Sequence, residues 1–380
     1  MPPLSLYVHM PWCVRKCPYC DFNSHALKGV APDGAYIDAL LRDFELEWPQ
    51  AAGRRIETIF FGGGTPSLFA PREFERLLRG LRLRGDIATD AEITLEANPG
   101  AVEHGAFEGY AAAGINRVSL GAQSFSSEAL RRLGRIHAPG DIERAVKGLR
   151  AAGIANFNLD LMYALPEQSV EQALEDLRAA LALAPAHLSH YQLTLEPGTV
   201  FAARPPPLPD EDLAFQMQCE SQALLARAGY EQYEVSAYAR PGQRCAHNLN
   251  YWGFGDYLGI GAGAHGKISL GPPFRVLRTA KPKQPREYQR CLGEAAGPAG
   301  ERHEVPATEL PFEFMLNALR LNAGFGTVDF QARTGLPLAI IEEPMSRAQR
   351  RGLLIPSASG WAPTELGRRF LNELQAEFLA

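Results

Sequence analysis

Leu4-Ser5-Leu6-Tyr7-Val8-His9-Met10-Pro11-Trp12-Cys13-Val14-Arg15-Lys16-Cys17-Pro18-Tyr19-Cys20 opens the chain with an apolar run followed by three cysteines spaced C-x₃-C-x₂-C. The run Leu4 to Met10 reads as a strand, and the cysteines follow it directly. Three thiolates are one fewer than a cubane [4Fe–4S] cluster takes, so one iron stays open to an exchangeable ligand. A structural zinc site closes four ligands and a disulfide framework needs even numbers. The triplet therefore favours an incompletely capped cluster over zinc or unrelated thiols.

The pattern continues outward. From Leu4 to about Glu196, short β-rich runs alternate with amphipathic helical windows, as in a parallel sheet built from βα units. The strands fall at Leu4 to Met10, Thr58 to Phe61, Glu92 to Ala97, Arg117 to Leu120, Phe157 to Met162 and Leu188 to Leu195. Helices such as Asp33–Trp48, Pro71–Leu83 and Asp141–Ala152 lie between them. Six βα units are too few for a closed eight-fold barrel, so the expected fold is α/β, an open partial (β/α)6 barrel. Ligands in such sheets bind at the C-terminal strand ends, the edge that carries the cysteine loop.

At 380 residues the chain exceeds one typical domain. Residues 1–235 are assigned to the barrel, 236–300 to an extension and linker, and 301–380 to a small C-terminal, mainly helical domain. The linker is expected within 280–306, a stretch rich in proline, glycine and charge. Beyond it come a helix (Pro311–Leu321), a short helix (Val328–Thr334), a helix (Leu338–Arg351), a hairpin (Leu353–Ala362) and a closing helix (Thr364–Phe378), the order of a winged helix. Arg347, Arg350 and Arg351 cluster there, but Glu342 and Glu343 share the helix and the net charge is −5. Packing or partner docking is thus expected of this module, and no nucleic acid. No apolar stretch approaches the ~20 residues of a membrane span and no signal-peptide pattern opens the chain, which points to the cytoplasm. Its reducing conditions suit thiolates that serve a metal. The scattered Cys219, Cys245 and Cys291 read as ordinary buried thiols.

The string Tyr7 through Phe22 resembles the radical S-adenosylmethionine (SAM) superfamily, in its oxygen-independent coproporphyrinogen III oxidase-like (HemN-like) branch. The resemblance implies that Cys13, Cys17 and Cys20 hold a [4Fe–4S] cluster, that SAM chelates its open iron, and that Tyr19 cradles adenine. Shielding of the cluster is the plainer role for that ring. Gly62-Gly63-Gly64-Thr65-Pro66, after the second strand, lets backbone approach a ligand closely. Alone it is a common turn; beside the triplet it resembles the family's clamp on the methionine amino group. Glu96, Gln123, Arg135 and Asp160 punctuate strand ends, where charge is costly unless paired or liganded. The resemblance places Tyr7, Gly63, Gly64, Thr65, Glu96, Gln123, Arg135 and Asp160 around SAM. Satisfied burial or internal Arg–carboxylate pairing is the alternative.

Cys245-Ala246-His247-Asn248-Leu249-Asn250-Tyr251-Trp252 is the third motif. A neutral imidazole suits haem iron and adjacent aromatics suit a porphyrin face, although a histidine beside such a pair also serves a core. The string His247-Asn248-x-x-Tyr251-Trp252 resembles the signature of the HemW-type haem chaperones. His247 ranks first as haem ligand, ahead of His265 in its glycine-rich run and of Cys245. Enzymes that oxidise coproporphyrinogen carry a further cysteine where this chain has Phe22, and a long arm before the first strand. The resemblance therefore implies a chaperone that binds haem and a SAM-ligated cluster and delivers haem to an acceptor haem protein of the membrane respiratory class. An oxygen-independent coproporphyrinogen III dehydrogenase is the alternative, and a cluster-bearing winged-helix regulator a third.

Overall fold

A computed structural model of the chain describes residues 1–27, 29, 33–101, 106–294, 299–358 and 360–379. Six strands run parallel in chain order: β1 (Leu4–Met10), β2 (Ile56–Gly63), β3 (Ile87–Ala97), β4 (Arg117–Gln123), β5 (Phe157–Tyr163) and β6 (His187–Gln192). The helices Asp33–Glu47, Pro71–Arg84, Pro139–Ala151 and Val170–Ala182 lie between them. This is the expected α/β partial barrel. β6 ends at Gln192, short of the expected Leu195, because its partner β5 ends at Tyr163, where Ala164 turns to φ +55°.

Alternation along the strands sorts the side chains. β4 is buried throughout, yet only Val118, Leu120 and Ala122 join the apolar core, leaving Arg117, Ser119 and Gln123 on its other face. Leu6 and Val8, Ile59 and Phe61, Ile93 and Leu95, and Leu159 and Leu161 join the same core. The alternate positions are Ser5, Tyr7, Thr58, Glu92, Glu96, Asn158, Asp160, His187 and Tyr191, which give the barrel a polar lumen. Register sets Ser5, Thr58 and Glu92 side by side nearer the N-terminal strand ends. Glu96 and Asp160 lie further along, toward the edge that carries the cysteines.

Residues 236–300 differ from the expected extension and linker. β7 (Asp256–Ile260) pairs parallel to β1, with Leu4 opposite Asp256, and β8 (His265–Leu270), β9 (Arg275–Ala280) and Glu301–Glu304 continue the sheet antiparallel. Leu258, Ile260, Ile268 and Tyr288 belong to the same core as β1. The stretch read as a linker carries the helix Pro285–Glu294. One of its charges, Lys281, is paired internally rather than solvated: it reaches Asp43 and Glu47 at 2.6 Å each, and Tyr288 donates to Asp43 at 2.9 Å, all buried.

The C-terminal part stacks helices Leu310–Ala318, Thr327–Thr334 and Ala339–Arg350 on a three-stranded sheet of Phe325–Gly326, Gly360–Pro363 and Leu354–Pro356. Phe314, Phe330, Ile341 and Leu354 form its core together with Phe254 from the barrel side, so the two parts share packing. The expected closing helix is two, Glu365–Arg369 and Leu371–Ala376, because Phe370 leaves helical geometry at ψ 49°. Among the described residues no helix is long and apolar enough to cross a membrane.

Burial of histidine also links the fold to pH. His190 on β6 stacks on Tyr163 at 4.7 Å, and burial drives its pKa down to about 4. The native imidazole stays neutral while the unfolded one takes a proton below about pH 6.5. Stability from this site is therefore full above pH 6.5 and is lost as pH falls toward 4. The loss amounts to about 2 kcal/mol at pH 5 relative to pH 7. In urea unfolding, wild type should lose about that much more than His190→Gln between the two pH values. Equal losses in both proteins would contradict a neutral native His190.

Candidate functional site

The cysteine loop leaves β1 and folds back on itself through His25 N to Pro11 O (2.7 Å) and Leu27 N to Cys13 O (2.8 Å). Its three free thiols line a cavity of about 240 Å³ with Tyr19, Gly63, Gly64, Thr65, Glu96, Gln123, Arg135 and Asp160. Each sulfur faces a donor. The Thr65 hydroxyl donates to Cys13 Sγ at 3.4 Å, Arg135 Nη1 to Cys17 Sγ at 3.7 Å, and the Ser24 hydroxyl lies 3.9 Å from Cys20 Sγ. Arg135 also donates to Asn98 Oδ1, and Asn98 Nδ2 donates to Thr65 Oγ1 at 2.8 Å. One polar chain thus joins Cys17 to Cys13. Burial pushes the Cys13 and Cys20 thiols up, so donors alone do not ionise them, whereas coordination to iron would. Donors on all three sulfurs fit a bound cluster.

The opposite wall fits a cationic ligand. Glu96 Oε2 accepts from Gly63 N at 3.1 Å, and burial, with the charge of Asp160 behind it, pushes the Glu96 carboxyl up to about 8. Asp160 is raised by burial as well, although Ser119 and Asn158 donate to it at 3.0 and 2.8 Å. A positive group placed beside them would relieve both. Gly63 at φ +111° leaves no room for a side chain, since a Cβ there would lie 2.5 Å from the His9 ring. At Gly64 a Cβ would lie 2.5 Å from the Trp12 carbonyl oxygen. Gln123 is held in the left-handed region at φ +66°, its amide oxygen accepting from Tyr191 at 2.7 Å, a local cost that recurs at functional sites. Asn98, Ser24 and Tyr191 escaped the sequence reading. Asn98 carries the same strand-end signal as Glu96; the others meet the site only through tertiary contact.

Tyr7 is the residue of the set that the structure keeps away from this cavity. It sits mid-strand, its hydroxyl 2.9 Å from His9 Nδ1, and it lines a second cavity of about 930 Å³. That cavity is walled by Phe60, Tyr251, Trp252 and Tyr257, contains His247 and His265, and shares Phe22, Ser24, Gly63 and Glu96 with the cysteine cavity. His247 rides on the helix Ala246–Trp252, whose first amides are capped from β3: Glu92 accepts from Ala246 N and His247 N at 3.0 Å each. A carboxylate at a helix N-terminus satisfies its free N–H groups and favours its dipole. His247 Nδ1 lies 2.9 Å from Thr58 Oγ1, whose own proton goes to Ser5 Oγ at 2.8 Å. Nδ1–H is then the donor, and Nε2 keeps a lone pair for a ligand. Burial, with Arg117 adding to it, lowers the His247 pKa to about 3, so the imidazole is neutral. Cys245 does not line the cavity. Its thiol faces Glu92 at 3.4 Å and burial pushes it up to about 12, which removes it as a thiolate ligand.

Residues 7–180 match the radical SAM superfamily, and residues 305–370 match the HemN C-terminal domain. Heme chaperone HemW of Escherichia coli (strain K12) is 52% identical over 380 residues, covering 100% of this chain and 99% of that one. Heme chaperone HemW of Haemophilus influenzae is 47% identical over 383 residues, covering 100% and 98%. Among solved structures, coproporphyrinogen III oxidase (HemN) from Escherichia coli, a radical SAM enzyme, superposes with a TM-score of 0.84 at 25% identity, covering 99% of this chain and 90% of that one. Matched end to end at this identity, and carrying both domains, the chain belongs to the HemW family of the radical SAM superfamily.

Proposed function

We propose that the protein is a haem chaperone, which binds haem beside a SAM-ligated [4Fe–4S] cluster and passes it to an acceptor haem protein. The observation that carries this reading is a neutral, buried His247 with Nε2 unclaimed, on an aromatic cavity of about 930 Å³ next to the cysteine cavity. The names of its full-length relatives support it. Cys13, Cys17 and Cys20 would hold the cluster, with SAM against Gly63, Gly64, Thr65, Glu96, Gln123, Arg135 and Asp160 and near Tyr19. When bound, cluster and SAM supply one-electron chemistry at the open iron. The chain's own part is positional. Thr58 fixes the His247 tautomer, Glu92 fixes the helix that carries it, and Arg135 and Thr65, tied together by Asn98, each donate to a sulfur. Phe22 offers a bare ring to both cavities and brings no thiol for radical oxidation of a propionate. The acceptor class is a membrane respiratory enzyme, loaded from the cytoplasm.

The test is transfer. Anaerobic protein carrying cluster, SAM and haem is mixed with the apo form of a respiratory haem protein, and the acceptor's Soret band is followed. Haem should move in near-stoichiometric amount and faster than from haem-loaded albumin. Transfer no better than from albumin overturns the proposal. Under reductant, conversion of coproporphyrinogen III to protoporphyrinogen would instead support the dehydrogenase.

A further inference from the structure

We propose that Lys16 and Lys283 form a clamp for the two propionate carboxylates of haem, and that this clamp makes the His247 cavity selective for dianionic porphyrins. The inference rests on the haem-binding reading and adds the orientation and charge of the ligand to it.

The cavity is chemically polarised. Its walls are aromatic, with Tyr7, Phe60, Trp252 and Tyr257 around the buried His247. Lys16 and Lys283, both exposed, also line it and lie on its solvent side. A porphyrin with iron on His247 and its apolar edge inward must therefore send its carboxylates outward, because burying them unpaired among aromatic rings is costly.

The same short loop holds the ammonium of Lys16 and the backbone of Lys283. Lys16 Nζ donates to Phe22 O at 3.0 Å and to Ser24 O at 3.4 Å, which holds that cation against the loop after the third cysteine. Lys283 is held to this loop through its backbone. Its carbonyl accepts from Asn23 Nδ2 at 3.0 Å and lies 3.2 Å from His25 Nε2, while Asn23 also donates to Ala262 O at 2.9 Å. Among the described residues neither lysine is in an ion pair with a carboxylate, so both charges are available. Asp21 and Glu96 line the same cavity with opposite sign; of the exposed charged groups, two lysines stand against Asp21 alone, which leaves the rim positive. Loop 21–25 thus holds the Lys16 ammonium and the Lys283 backbone at one cavity, whose ligand would carry two anions.

The experiment titrates hemin and hemin dimethyl ester, which lacks both charges, into full-length anaerobic protein and follows the Soret band. Wild type should bind the free acid roughly tenfold more tightly than the diester. Lys283→Glu should weaken the free acid by about the same factor and leave the diester unchanged, with Lys16→Glu behaving likewise. The cluster absorbance of Lys283→Glu and its thermal melt report whether the fold is kept. Equal affinity for both porphyrins in wild type, or equal weakening of both in a folded Lys283→Glu, overturns the clamp and leaves haem binding standing. Absence of any Soret shift with either porphyrin overturns the haem reading itself, and the clamp with it.

Discussion

Cys17→Ser, reconstituted anaerobically, should retain roughly a tenth or less of the wild-type iron and sulfide and lose the broad visible absorbance of the cluster. Two thiolates remain, at Cys13 and Cys20, and the open iron that SAM would cap goes with the cluster. The substitution also removes the sulfur that Arg135 Nη1 approaches at 3.7 Å. Arg135 keeps Gly121 O at 2.8 Å and Asn98, so the loss should stay local and the melting temperature of the unreconstituted protein should hardly move. Full iron content in Cys17→Ser would mean that another group supplies the third ligand. Hemin titration of the same variant separates the two cavities. His247 is held by Thr58 and Glu92, for which no contact with Cys13, Cys17 or Cys20 is seen among the described residues. Hemin affinity should therefore stay within a few-fold, although Phe22, Ser24, Gly63 and Glu96 are walls of both cavities.

His247→Ala should lower hemin affinity about 100-fold and replace the imidazole-ligated Soret spectrum with that of loosely held hemin. Thr58→Ala leaves the ligand in place but removes the group that orients it, and should cost about tenfold. Graded losses of this kind distinguish an iron ligand from a wall residue, because a wall residue would not change the spectrum. An unchanged Soret band in His247→Ala would pass the role to His265, which lines the same cavity.

Much of this site could be read from residues alone, for identifiable reasons. The strands of the barrel announce themselves because apolar side chains must alternate with lumen positions, and Glu96 and Asp160 stand out as charges in otherwise apolar runs. The cysteines, Gly63, Gly64, Thr65, Gln123 and Arg135 meet in one cavity because each follows or ends a strand on the same edge. Tyr7, in the middle of β1, lines the neighbouring aromatic cavity instead. β7 stayed hidden since its partner is β1, far away in sequence, and because its flanking glycines resemble loop. The misread linker is the same kind of error: Lys281, Asp43 and Glu47 look solvated until the fold pairs them. Glu92 is a charge in the same run as Glu96, but its role and that of Thr58 exist only once a distant helix lands on them.

That landing has a consequence for how the histidine motif is recognised elsewhere. The string from His247 to Trp252 is short, but its working parts are borrowed: the proton that sets the tautomer goes to a strand hydroxyl, and the helix cap is a carboxylate from another strand. Grafted onto a different protein, the six residues would carry no ligand geometry with them. A search for the trait should therefore look for three separated positions that vary together, the histidine, the threonine and the glutamate, and should treat the bare string as an accident wherever the other two are missing.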